Sequence, residues 1–377
     1  MIALSIGKTN FDVTIPVESY PQENTKITVS EKIESSGGGA FNVAYLLGKW
    51  NVETYFAGVV GYDDYGSTIK KDLDGLGVHT TFLETNYEKK TATTFILNNK
   101  ATTSRTQIRI EPEVYHMKKY EYDFMAGVIY SDGYEYSATM AAINKFPNVP
   151  VILGAGLNYG DYKEIVALAK FAKYIIFSLE FAESITKVKV NVEDPESLLN
   201  LYKKLKESFI SNEVIVTLKS NGVLYAVNDN VQYMPTIQVQ EVDRTGAGDV
   251  FDGAFTYAIS KGYDIEKCMR IANIAAGLST TKVGAKTAIP ILSDVINYYE
   301  SKFGPIDAVE QQQSTTPQEN PTPVNVSPGQ EVSSPIQNPT MNPESTPMNS
   351  SNATTQTVVN QPNMANTSIE GQSSTPQ

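Results

Sequence analysis

The chain has 377 residues, 41% of them hydrophobic, with 42 acidic against 30 basic side chains and a formal net charge of −12. That length admits one large domain or two ordinary ones, with apolar residues enough for a sizeable core. The negative balance argues against nucleic acid as a partner, because nothing offsets phosphate repulsion; one cysteine, Cys268, allows no internal disulfide or cysteine-based metal cluster, and two histidines are too few for a His-rich metal site. The opening Met-Ile-Ala-Leu-Ser-Ile-Gly-Lys is too short an apolar run for a signal peptide. No run of about 18 apolar residues points to a membrane span, and a cytoplasmic, reducing compartment is the simplest expectation.

Residues 2–6 read as a short buried strand leading to Asn10 and Asp12. Residues 13–36 alternate loosely around Pro21, through Val13, Ile15 and Val17 and then Ile27, Val29 and Ile33, which predicts a hairpin-like excursion. A triple glycine, Gly37 to Gly39, then opens a helix with Val43, Leu46, Leu47 and Trp50 on its apolar side. Glycines here let a ligand approach the backbone, and Asn42, one turn in, both donates and accepts at the same place. An ordinary helix start with a flexible lead is the competing reading. A strand over 53–60 runs into Gly61-Tyr-Asp-Asp-Tyr-Gly66 and a helix carrying Ile69, Leu73 and Leu76. Extended runs at Thr93–Leu97 and Thr106–Ile110 follow, joined by Asn98-Asn99-Lys100. Arg105 and Arg109 fall there, either to meet an anionic group on a substrate or as solvated charges on an exposed strand face.

From residue 123 strands and helices alternate. Strands are predicted at Gly127–Ser131, Val149–Leu153, Tyr174–Phe177, Val214–Leu218 and Val223–Val227, and helices near 137–146, 161–172, 195–210, 246–261 and 264–282. The pattern implies an α/β fold, a mainly parallel sheet covered by helices on both faces. Ser220-Asn221-Gly222 marks a hairpin within it. Gly154-Ala-Gly156-Leu-Asn-Tyr-Gly160 follows a strand as in some dinucleotide sites, but the next strand ends Ile-Ile-Phe-Ser178 with no acid for a ribose. No P-loop is present. After Phe303 there is no aromatic residue, Lys or Arg, and the tail 304–377 is built of Pro, Ser, Thr, Asn and Gln with six acids. Such a composition predicts a disordered segment after a folded body of 1–303.

The chain is organised around Asp243-Arg-Thr-Gly-Ala-Gly-Asp249-Val-Phe-Asp-Gly-Ala-Phe255. An extended segment, Val239 to Val242, leads into a small-residue turn that opens a helix with Val250, Phe251, Ala254, Phe255, Ala258 and Ile259 at helical spacing. Gly246, Ala247 and Gly248 leave their N–H groups accessible where a helix start has no internal acceptors, a natural anion hole. Asp249 stands in that first turn. A carboxylate beside an anion hole suits phosphoryl transfer, the carboxylate taking a hydroxyl proton while the N–H groups hold phosphate charge.

This stretch resembles the C-terminal signature of the ribokinase-like (PfkB-type) carbohydrate kinases. The run from Gly37 to Gly66, with Asn42 and Val60-Gly61-Tyr-Asp63-Asp-Tyr-Gly66, resembles the same family's N-terminal signature, and the resemblance covers roughly residues 1–303. It implies a three-layer α/β/α core with a small β-sheet lid built from segments near 13–36 and 88–110, and an ATP-dependent kinase acting on a hydroxyl of a sugar-like substrate. Asp249 is then the catalytic base, and Gly246, Ala247 and Gly248 the anion hole. Asn10, Asp12, Gly38 and Asn42 are expected to hold the substrate. Thr217, Lys219, Gly222, Gly248 and Asn273 are expected to hold the nucleotide. Glu183 matches the last residue of a family Asn-x-x-Glu pattern near Mg²⁺, with Glu180 in place of the Asn. Thr217-Leu-Lys219 matches a Thr-x-Gly pattern, with Lys219 in place of the Gly, either to contact phosphate or, as the safer expectation, to face solvent. Asp243 and Thr245 are the expected site of a monovalent cation, K⁺ in some members, and lids of this family often pair two subunits into a homodimer. A nucleoside kinase on the same scaffold and a catalytically silent small-molecule sensor or scaffold are the alternatives.

Overall fold

The computed structural model describes residues 1–306 except 103, 112–115 and 157–161. The chain divides into two units, Met1–Gln311 and Gln312–Gln377, and every described residue lies in the first. The predicted tail therefore falls, from residue 307 on, outside the described residues.

Elements follow in chain order: β1 (Ala3–Ile6), β2 (Asn10–Val17), β3 (Ile33–Gly37), α1 (Gly39–Lys49), β4 (Thr54–Gly61), α2 (Asp64–Asp74), β5 (His79–Asn86), β6 (Thr93–Asn99), β7 (Ser104–Ile110) and β8 (Val128–Ser131). Then come α3 (Tyr136–Lys145), β9 (Val151–Ala155), α4 (Tyr162–Ala169), β10 (Tyr174–Ser178), α5 (Leu179–Thr186), α6 (Pro195–Ser208), β11 (Glu213–Thr217), β12 (Val223–Val227), β13 (Asn230–Met234), α7 (Ala247–Ser260), α8 (Ile265–Ser279), α9 (Ala285–Ala288) and α10 (Leu292–Phe303).

Nine strands form one sheet in the order β13-β12-β11-β10-β9-β8-β1-β4-β5, parallel except for the hairpin strands β12 and β13. Four form a second sheet, β3-β2-β6-β7. The central strands are apolar almost throughout because both their faces are buried. Successive side chains alternate between two cores: Val128, Tyr130 and Ile152 pack with α1, α2, α7, α8 and α10, whereas Ile129, Val151 and Leu153 pack with α3, α4, α5 and α6. No described helix is long and apolar enough to cross a membrane.

The chain turns from β1 into the small sheet within three residues. Gly7 makes this possible: its φ is +146°, and a Cβ would lie 1.9 Å from the Asp132 carboxylate. That carboxylate accepts the N–H groups of Lys8 (2.9 Å), Ala40 (3.1 Å) and Tyr134 (3.0 Å), joining the exits of β1 and β8 to the start of α1. The Gly61-x-Asp63-x-x-Gly66 segment is a second joint. Asp63 caps α2 through the Gly66 N–H (2.8 Å) and also accepts the Thr91 N–H (2.8 Å) and hydroxyl (2.6 Å), fastening α2 to the entry of β6.

Two extended predictions are corrected. Only residues 33–37 of the second half of the 13–36 excursion form a strand; Ile27 and Val29 are exposed and unpaired with any sheet. Val239 to Val242 joins no sheet, its β-branched residues lying along the approach to α7, with the Val242 N–H donating to the Thr280 carbonyl at 2.7 Å.

Candidate active site

The carboxyl ends of β1, β8, β9, β10 and β11 open into one cleft of about 940 Å³, roofed by the small sheet. Its floor lies where the strand order reverses, between β1 and β8, the usual place for a ligand in an open parallel sheet.

Helix α7 points its first turn into this cleft. Asp63, Ser178, Asp194 and Asp264 cap the starts of α2, α5, α6 and α8, but no side chain caps α7. Its two glycines differ. Gly246 has φ +78° and a Cβ there would meet the Ala285 methyl at 2.6 Å, so the fold requires it. Around Gly248 nothing lies within 4 Å of where a Cβ would be; the space is the cleft itself. Asp249, half-buried, accepts a hydrogen bond from Asn42 Nδ2 at 2.7 Å. Burial raises its pKa, and the Asn42 bond and the positive charge of Arg105 oppose the rise. Asn42 is buried, and its Oδ1 has no partner among the described residues. A buried acceptor without a donor is costly, so this atom is placed to accept a hydrogen bond from water or from a molecule in the cleft.

Three more carboxyls share the space. Asp12 lies over the Gly37 backbone and accepts from Asn10 Nδ2 at 2.5 Å; burial pushes its pKa up to about 7, against the Asn10 bond and with the charge of Asp249 adding to the rise. Asp132 is pushed up to about 6 by burial, against its three N–H bonds. Asp252, one turn after Asp249 on α7, accepts from the buried Tyr130 hydroxyl at 2.8 Å, and burial holds its carboxyl well above the usual range. The Gly154 position has no room for a Cβ because the Tyr130–Asp252 pair fills it, a packing reason for a glycine in the rival dinucleotide-like motif. Its remaining residues, Leu157 to Gly160, lie outside the described residues.

At the other end the cleft is lined by Thr217, Lys219, Gly222 and Asn273. Asn273 Nδ2 donates to the Pro235 carbonyl at 2.7 Å, and Thr217 to the Phe177 carbonyl at 3.3 Å. Lys219 is not directed only to solvent: it lines the cleft and pairs with Glu180. These are two of the positions where the sequence departs from the family patterns, and they meet each other. Glu183 stands outside the cleft lining, its carboxylate taken by the Val190 N–H (2.8 Å) and Lys189 (3.0 Å). Asp243 is buried and accepts the Thr245 N–H (2.9 Å) and hydroxyl (2.7 Å) and the Gly284 N–H (2.8 Å). It pins the turn before α7, and a cation there would have to share an oxygen with one of these donors.

A family model described as pfkB family carbohydrate kinase matches residues 3–292. The chain belongs to the pfkB family of carbohydrate kinases. It is a phosphotransferase with a hydroxyl acceptor, a sugar or nucleoside kinase. It is similar to the ribokinase of Bacillus subtilis, 24% identical over 298 residues that cover 77% of this chain and 96% of the relative. A nucleoside kinase of Methanocaldococcus jannaschii is also 24% identical, over 78% of this chain and 95% of its own. The solved structure of Arabidopsis thaliana ribokinase, complexed with ribose and ATP, superposes with a TM-score of 0.63 at 23% identity, over 78% and 97% of the two chains. The pfkB fold thus accounts for both sheets, the larger as the core and the smaller as the lid.

This kinase brings Asn10, Asp12, Gly38, Asn42, Thr217, Lys219, Gly222, Thr245, Gly246, Ala247, Gly248, Asp249 and Asn273 to a single cleft, and leaves Glu183 and Asp243 out of its lining. Sequence reasoning missed Lys8, Tyr130, Asp132 and Asp252. Asp252 had a signal, an acid among the apolar positions of α7. Asp132 had a weaker one, its place just past a buried strand. Nothing local marks Lys8 or Tyr130.

Proposed function

We propose that this kinase transfers the γ-phosphate of ATP to a hydroxyl of a sugar-like acceptor, with Asp249 as the base. The observation that carries this reading is Asp249 held by Asn42 beside an uncapped helix start in one cleft. The acceptor oxygen forms a bond to the γ-phosphorus as the bond to the β,γ-bridging oxygen breaks, and ADP leaves with that electron pair. The hydroxyl proton passes to Asp249 and then to solvent. The N–H groups at the start of α7 meet the charge on the phosphoryl oxygens, and Asn42 Oδ1 accepts from a second acceptor hydroxyl. The raised pKa makes the Asp249 carboxylate a better proton acceptor.

The glycine at 248 supports the ATP assignment, since only open cleft adjoins it. Among the described residues no three Asp, Glu, His or Cys side chains converge as a cage. The reading therefore gives Mg²⁺ to the nucleotide phosphates and water, as its chemistry favours, with Glu180 the carboxylate at that end. When bound it neutralises phosphate charge. A nucleoside acceptor is the second reading, favoured by the equal identity to the archaeal nucleoside kinase.

Asp249→Asn is expected to lower kcat by a factor on the order of 10² to 10⁴ while leaving binding of an ATP analogue and the melting temperature nearly unchanged. A variant that keeps more than about a tenth of wild-type turnover assigns the proton to another group.

A further inference from the structure

The small sheet stands on α2 at three points. Asp63, capping its start, takes the Thr91 N–H and hydroxyl at the entry of β6. Tyr65 stacks on Phe11 of β2 with ring centroids 4.0 Å apart. Asp72, in the last turn of α2, accepts the Ser36 hydroxyl of β3 at 2.6 Å. The same Asp72 oxygen takes Lys286 Nζ of α9 at 2.5 Å. The pair is shielded, the lysine side chain 17% and the aspartate 24% exposed, and the ammonium lies 5.7 Å from the centre of the Tyr45 ring on α1. A pair so placed is screened less by salt and water than a surface one.

Ser36, Asp72 and Lys286 do not line the cleft, yet each end of this tie is one residue from a part of the site. Ser36 precedes Gly37, whose backbone lies against the Asp12 carboxylate. Lys286 follows Ala285, whose methyl lies against Gly246 at the turn into α7. We propose that Ser36, Asp72 and Lys286 are positioning residues that set the acceptor side of the cleft, carried by β2 and β3, against the phosphate side at the start of α7. This rests on the kinase reading above and adds to it residues that touch neither substrate. Transfer requires the acceptor oxygen held about 3–3.5 Å from the phosphorus. The two sides come from segments more than two hundred residues apart, so a tie between them has that distance to keep.

A plain anchor for α9 is the poorer account of Lys286. The segment is already held without it. The Gly284 N–H donates to Asp243 at 2.8 Å, Lys49 Nζ to the Ile289 carbonyl at 2.6 Å and Trp50 Nε1 to the Pro290 carbonyl at 3.0 Å. What the Asp72–Lys286 pair adds is the link from this segment to the footing of the small sheet. Ser36 completes it: the residue is fully buried, and its hydroxyl turns to α2 rather than to its own sheet.

The test follows amide hydrogen exchange in the full, ligand-free chain with the tie cut at either end. Ser36→Ala cuts it at β3. Lys286→Met cuts it at α9 and keeps an unbranched stem beside Tyr45. Each variant is expected to speed exchange at the end it does not touch, 245–250 for Ser36→Ala and 33–37 for Lys286→Met, and Lys286→Arg to restore protection. In turnover of ribose or adenosine, both cut variants are expected to lower kcat roughly ten- to a hundredfold with KM for ATP nearly unchanged, the scale of a misplacement remote from the chemistry. Exchange that changes only beside the substituted residue overturns the proposal. So does exchange that rises throughout the chain along with a lower melting temperature, or full kcat in both variants. Exchange coupled between the two ends, in a protein whose Asp249→Asn variant keeps its turnover, would leave the tie standing and remove the base assignment instead.

Discussion

Asp12 shows how one residue ties function to stability. Its carboxyl titrates near 7 in the folded protein and near 4 when exposed, mainly because burial disfavours the charge. The folded state then binds more protons than the unfolded state between those values, so stability is full below about pH 4 and declines as pH rises toward 7. Asp132, near 6, and Glu135, near 8, act in the same direction. The melting temperature of the ligand-free protein is expected to fall between pH 5 and pH 8, and Asp12→Asn to flatten that fall by removing one contributor. A thermal-denaturation series that gives parallel slopes for the two proteins would show that Asp12 titrates normally. On the proposed mechanism, buried acids that destabilise the resting fold are a cost borne for a site that accepts hydroxyl hydrogens and a proton.

At the scale of the element, the start of α7 separates a glycine that the fold requires from one that it does not. Gly246→Ala puts a methyl into Ala285 at a left-handed backbone position, and should cost at least about 1–2 kcal/mol of stability. Gly248→Ala meets nothing in the protein and gains helix propensity, about 1 kcal/mol. It should nonetheless lower kcat/KM by a factor on the order of a hundred, the scale of losing one oxyanion donor, because its methyl enters the space read as phosphate. Melting curves and turnover of the two variants check this, and an active Gly248→Ala would remove the anion hole from the mechanism. The same helix marks what the sequence makes legible. Its apolar period, its small-residue start and Asp249 lie within one short run, so local pattern suffices. Asp132, Tyr130 and Lys8 take their places only when β1, β8 and α1 meet, and no window along the chain contains all three. The lid arginines were visible, but which face they occupy depends on the register of β6 and β7. Val239 to Val242 was misread because β-branched residues favour extended backbone whether or not a partner strand exists.

For the molecule as a whole, the folded body extends slightly past the compositional break at 303. Ile306 is 7% exposed in the core beneath α8, its carbonyl accepts Lys267 Nζ at 2.9 Å, and its N–H donates to Glu300 at 3.3 Å. A fragment of residues 1–306 is expected to melt with the full chain. One ending at 303 loses a buried isoleucine worth about 1.5–3 kcal/mol, and its midpoint should fall by several degrees. Equal melting of the two fragments would place the boundary where composition alone puts it. The position of β1 at the middle of the large sheet has a consequence for how the chain is made. Strand β1 is the hinge between β4–β5 and β8–β13, and its partner Val128–Ser131 is synthesised more than a hundred residues later. Until then β1 has one sticky edge, and the two halves of the sheet cannot join. Assembly must therefore wait on a long-range closure, the slow kind of step, and the nascent chain spends that interval exposed to mispairing and to chaperones.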